Sequence, residues 1–213
     1  MSGDPGRLGA VVLAGGRSSR FGRDKLAEPM ADGRSLLHHA IAAVDALGSG
    51  IDVVVVAAPG IDPPLPAGVR LAHDPVAFGG PLAGLAAGLV ALDADVDRVL
   101  VVAGDMPSLR PAVLRLLDAT VLGGADAAVL EDPSDRRPFT FPIAVRRAAA
   151  AALIDRELAA GTRRFGVVAD GLSAHVIPAA AWMALDPAGA TPRDIDVDAD
   201  LGGAAPSPRR PRR

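Results

Sequence analysis

Three short β-branched runs, LGAVVL at 8–13, DVVVVA at 52–57 and RVLVVA at 98–103, alternate with Ala- and Leu-rich stretches of helical period. Strands that are apolar at every position need cover on both faces, and parallel neighbours need a crossover, usually a helix. An α/β fold with a mostly parallel sheet is expected. Further strands are predicted at 69–72, 125–130, 139–145 and 175–177, and helices at 35–47, 81–92, 110–122 and 146–160. Ser35 suits an N-cap and Pro81 a first helical position. Pro142 inside 139–145 predicts an edge or bulged strand, because proline cannot donate to a ladder. A short helix near Arg163 and a last segment at 195–201 complete the domain. The Gly-, Pro-, Ala- and Arg-rich tail at 202–213 is expected to be disordered.

Composition narrows the function classes. The 213 residues suit one domain, 1–201 with its tail. The absence of Cys excludes disulfide frameworks, Cys-based zinc sites and thiol nucleophiles, and suits a reducing compartment. A cytoplasmic location is the expectation. No uncharged apolar stretch reaches the roughly 18 residues of a membrane span, so neither secretion nor insertion is expected. The net charge is −3, yet Arg209, Arg210, Arg212 and Arg213 crowd the last five positions. The rest is acidic, without the basic footprint of a nucleic-acid binder. Of the 22 cationic residues only Lys25 is a lysine.

Ligands of open α/β sheets bind beyond the carboxyl ends of the strands. Three unusual loops fall there. The first, residues 13–25 (LAGGRSSRFGRDK), joins Gly15, Gly16 and Gly22 to Arg17, Arg20, Arg23 and Lys25, and reads as a polyphosphate cradle. Neither the dinucleotide fingerprint nor the Walker A spacing fits it; a solvated Arg-rich loop is the alternative. The second, residues 74–84 (DPVAFGGPLAG), has small residues that let a flat ligand approach the backbone, with Gly80 just before Pro81. Asp74 could accept two hydrogen bonds from a guanine edge, or could simply form the turn before Pro75. The third, GDMP at 104–107, sets Asp105 beyond a Val/Leu strand, as a ligand for Mg²⁺ or as a cap for the next helix.

In DIDVDAD at 194–200 the period of two would align four carboxylates, Asp194 and Asp196 among them, for metal support or as a solvated acidic turn. His38, His39, His73 and His175 form no constellation, and Ser18-Ser19 lacks a nucleophile-elbow pattern.

These motifs resemble those of the nucleotidyltransferase superfamily with a Rossmann-like sheet, and more narrowly those of bacterial molybdenum cofactor guanylyltransferases. The opening LAGGRSSRFGRDK matches their signature, with Phe21 where methionine is usual. GGPLAGL at 79–85, GDMP, RPFTFPIAV at 137–145, AAGTRRF at 159–165 and DIDVDADL at 194–201 follow in order. The resemblance implies a single-domain, three-layer, Rossmann-like fold. It also implies that Leu13, Ala14, Gly15, Gly16 and Gly80 line the guanine nucleotide, that Lys25 meets its phosphates and that Asp74 meets its base or ribose. Asp105 would meet nucleotide and Mg²⁺, with Asp194 and Asp196 as candidate metal support. Residues 56–58 lack the family's polar contact at the second strand end, and Val197-Asp198 replaces the usual Thr-Pro.

The implied reaction is attack by the terminal phosphate of molybdopterin, or of its molybdenum form, on the α-phosphorus of GTP, with Lys25 and Arg20 offsetting charge on departing pyrophosphate. Arg137, Pro138, Arg163 and Arg164 are candidates for the pterin phosphate or for a solvated face. Molybdoenzymes or other proteins of cofactor biosynthesis are the implied partners. The alternatives are cytidylyl transfer to the same acceptor, whose enzymes usually read LAAG where Gly15 stands here, and a catalytically idle nucleotide- or cofactor-binding adaptor.

Overall fold

The computed structural model of the chain describes residues 6–15, 25–75 and 79–195. Strands β1 (Arg7–Ala14), β2 (Asp52–Ala57), β3 (Arg70–His73), β4 (Val96–Ala103), β5 (Ala127–Glu131), β6 (Pro138–Arg146) and β7 (His175–Ile177) form one sheet in the order β3-β2-β1-β4-β6-β5-β7. Only β6 runs antiparallel to the rest. Helices α1 (Leu36–Asp45), α3 (Pro111–Leu122) and the short α6 (Ala179–Met183) cover one face. Helices α2 (Pro81–Ala91), α4 (Arg147–Ala159) and α5 (Val167–Gly171) cover the other. The result is a single three-layer α/β domain, as the burial of β2 at all six positions requires.

Most predicted elements stand within two residues of their expected ends. Ser35 caps α1, its hydroxyl accepting the His38 N–H, and Pro81 opens α2. The helix expected near Arg163 begins later, at Val167, and α6 has too few residues for a periodic signal.

Of the two alternatives for the strand that holds Pro142, the structure has the bulge. β6 lies between β4 and β5 and is not an edge. Between the pairs Val129↔Ile143 and Glu131↔Pro138, β5 advances two residues while β6 advances five. Pairing of β6 with β4 reaches Val101↔Ile143, at the residue after the proline. The sheet therefore splits beyond Val101. Phe139, Thr140 and Phe141 form one wall of the opening, and Ala103 and Asp105 stand on the other side.

Helix α2 lies close on β1 and β2 because small residues face the sheet. A Cβ added at Gly88 would stand 2.6 Å and 2.8 Å from the two γ-carbons of Val11, inside a fully buried layer. Gly88→Ala should improve helix propensity by roughly 1 kcal/mol, yet overpacking of this kind costs about 1–3 kcal/mol. The expected result is a lower midpoint of chemical unfolding.

The amino ends of the strands carry a network of ion pairs. Buried Asp52 accepts the Asp93 N–H at 2.7 Å and the Arg70 Nε–H at 3.2 Å. Arg7 reaches Asp93 at 3.0 Å and Asp95 at 3.1 Å. These bonds fix the end of the sheet opposite the loops that carry chemistry.

Candidate active site

Strand order reverses at β1: β2 and β3 lie to one side and β4 to the other. Such a switch point opens a crevice at the carboxyl ends of β1 and β4, because their following connections leave in opposite directions. The loops after these strands are joined at once. The Gly104 N–H donates to the Leu13 carbonyl at 2.9 Å.

Lys25 enters the site on a single 3-10 turn, Lys25–Ala27, packed against α1. Its ammonium lies 3.1 Å from Oδ2 of Asp105, with side chains 11% and 27% exposed. Asp105 does not cap α3, whose N-cap is Arg110; among the described residues its side chain bonds only Lys25. Its carbonyl accepts the Ile195 N–H at 3.0 Å. The structure thus joins two residues 80 positions apart, and it brings the segment around Asp194 to the same loop.

Asp74 follows β3 and is buried, its N–H donating to the Ala57 carbonyl at 3.0 Å. A Cβ at Gly79 would stand 3.2 Å from both Asp74 carboxylate oxygens, so the glycine lets the 79–81 segment close over that acid. Gly80 has φ +89° and is the N-cap of α2, with no side chain bonding the first turn. Arg163 crosses this point: its carbonyl would lie 3.2 Å from a Cβ at Gly80. Among the described residues an added Cβ at Gly15 would meet only ordinary contacts, the nearest being the Ala58 nitrogen at 3.6 Å. Gly16, Arg20 and Asp196 lie outside the described residues.

The split between β4 and β6 forms a cleft of about 300 Å³ beside Asp105. Arg137, Asp132 and Asp135 stand at one side, Phe139 and Phe141 along its wall, and Asp194 on the closing segment. Phe141 is backed by Phe165, with ring centroids 4.4 Å apart, so the 163–165 segment touches both the Gly80 loop and this wall. Of the candidate pterin contacts, Arg137 and Pro138 line the cleft. Arg164 is exposed and faces Asp170 at 3.8 Å.

Sequence reasoning missed the hairpin acids. Asp132 accepts the Ser134 N–H and Asp135 the Arg137 N–H, which folds the turn and sets Arg137 at the cleft. The Asp-Pro-Ser-Asp run signalled a turn but not its position. It also missed Glu131, whose carboxylate accepts the Ala179 N–H and pairs with Arg136, tying α6 to the cleft wall.

Two ion-pair clusters away from the crevice shift their members. Hydrogen bonds from the Arg34 side chain and N–H, with help from His39, pull Asp32 down to about 2. Asp52 raises the Arg70 guanidinium above its usual value. Among the described residues the crevice brings together the Lys25 ammonium, the carboxylates of Asp105 and Asp74, the backbone at the ends of β1 and β4, and an adjoining aromatic cleft. Among the described residues no cluster of three or more His, Cys, Asp or Glu could hold a metal by itself. A lone Asp105 fits a hard cation that takes its remaining ligands from phosphate oxygens and water.

The family model of the MobA-like NTP transferase domain matches residues 10–168. A probable molybdenum cofactor guanylyltransferase of Chloroflexus aggregans is 33% identical over 199 residues, 91% of each chain. Another from Mycobacterium avium is 32% identical over 207 residues, 95% of this chain and 97% of that one. In fold, the chain resembles the crystal structure of molybdopterin-guanine dinucleotide biosynthesis protein A from Archaeoglobus fulgidus, with a TM-score of 0.69 and 22% identity over 90% of this chain and 94% of that one. Family model, full-length relatives and crevice geometry agree: the chain belongs to the MobA-like NTP transferase domain family.

Proposed function

We propose that the chain transfers GMP from GTP to molybdopterin or its molybdenum form, releasing pyrophosphate and forming a guanine dinucleotide. The observation that carries this reading is the Lys25–Asp105 pair at the switch point, with an aromatic, Arg-bearing cleft opening directly beside Asp105. The names of the full-length relatives support the acceptor.

The nucleotide lies over the ends of β1 and β4. Backbone at Leu13, Ala14, Gly15 and Gly80 flanks its base and ribose, and Asp74 accepts from the base or ribose. The acceptor occupies the cleft, its flat ring against Phe139 and Phe141 and its phosphate toward Arg137. The attacking oxygen belongs to a phosphate whose second pKa is near 6, so it is mostly dianionic at neutral pH and needs no general base. Its oxygen bonds to the α-phosphorus as the bond to the α–β bridging oxygen breaks. Lys25, with Arg20 from the cradle, offsets the charge that gathers on the leaving group. Asp105 would hold Mg²⁺, with Asp194 and Asp196 as support; when bound, the ion neutralises phosphate charge and fixes phosphate geometry. The chain's own contribution is alignment of two anions that repel each other in water.

The rival is cytidylyl transfer. Because the described residues leave room for a methyl group at Gly15, the need for glycine is assigned to the nucleotide. Gly15→Ala should therefore fold with unchanged thermal stability while its preference for GTP over CTP falls about 10-fold or more. Competition between the two nucleotides, read by the mass of the dinucleotide product, tests both statements. Wild-type use of CTP in preference to GTP would reverse the base assignment.

A further inference from the structure

Asp186 ends the turn after α6 and is only 1% exposed. Its Oδ2 accepts the Thr191 N–H at 2.7 Å. Among the described residues its Oδ1 has no hydrogen-bond partner, and it stands 3.9 Å from Nε of Arg110. A buried carboxylate oxygen left in this way carries a desolvation cost, so the site it organises should matter more than a surface turn.

What it organises lies at Asp105. Thr191 is fully buried, and its hydroxyl accepts the Arg110 N–H at 3.2 Å. Four residues later the Ile195 N–H donates to the Asp105 carbonyl at 3.0 Å. The 191–195 segment is thus stapled at both ends to the 105–110 loop. Asp186 fixes the first staple by holding the Thr191 amide, and it faces Arg110 as well.

We propose that Asp186 is a positioning residue for Asp105, acting through the 191–195 segment; the kinetic part of this inference rests on the reaction proposed above. Its loss frees the Thr191 end, lets the Ile195–Asp105 bond open and loosens the carboxylate that would hold the cation. Small misplacements of this kind cost up to ~10²-fold in rate.

Asp186→Ala should speed hydrogen exchange of the Ile195 amide, raise the Mn²⁺ concentration for half-saturation in a proton-relaxation titration, and lower kcat about 10- to 100-fold with the KM for GTP little changed. Asp186→Asn keeps an acceptor for the Thr191 amide and should restore all three. Normal Ile195 exchange and normal Mn²⁺ binding in folded Asp186→Ala would overturn the proposal, as would a loss of kcat that follows thermal unfolding alone. Exchange and Mn²⁺ binding need no turnover. A wild-type chain that fails to transfer GMP would therefore defeat the functional reading and leave this test standing.

Discussion

Asp105→Ala should reduce transfer of GMP from GTP by at least ~10³-fold, about 4 kcal/mol of lost transition-state stabilisation, while the chain remains folded. The fold tolerates the change because Asp105 lies in a loop, its side chain is 27% exposed, and its structural bonds are made by its backbone carbonyl and by neighbouring Gly104. Activity should not survive, because Asp105 is the carboxylate that would bring the cation to the phosphate oxygens. Asp105→Asn separates charge from shape. It keeps an oxygen that can accept from Lys25, and it should fall nearly as far as alanine if the cation is what the carboxylate serves. Steady-state rates, read with a thermal unfolding curve for each variant, check the prediction. Full turnover in Asp105→Ala would remove the residue from the mechanism.

Lys25→Arg should lose about 10²-fold or more in kcat although it conserves charge. The Lys25 side chain is 11% exposed, and its ammonium sits 3.1 Å from one Asp105 oxygen, in a space shaped by a one-turn helix against α1. A compact point charge can stand between phosphate oxygens there. A planar guanidinium carries its charge over a wider fork and needs a different pocket. The chain writes positive charge as arginine at every other position. Near-normal rates in Lys25→Arg would reduce this lone lysine to an accident of composition.

The order of the α/β elements was legible because strands buried on both faces leave runs such as DVVVVA, which no half-exposed strand would carry. The site was legible where chemistry is local in sequence. Lys25 and Asp105 each stood out in a loop past a strand, although only the switch point explains their meeting. The cleft beside Asp105 was hidden for the opposite reason. It arises from a mismatch between two strands, five residues of β6 against two of β5, and no single segment records a register shift. Pro142 signalled a ladder defect and was compatible with an edge; the pairing of both β4 and β5 with β6 decides for the bulge. Asp186 and Glu131 belong to no motif in the sequence, and both are buried beside α6, a helix of five residues without a periodic pattern.

The most direct measurement mixes the purified chain with GTP, Mg²⁺ and molybdopterin and follows pyrophosphate release together with the mass of the pterin product. The predicted result is a guanine dinucleotide formed by the wild-type chain and not by Asp105→Ala. Tight GTP binding with no dinucleotide from the wild-type chain would contradict the account and favour a binding adaptor.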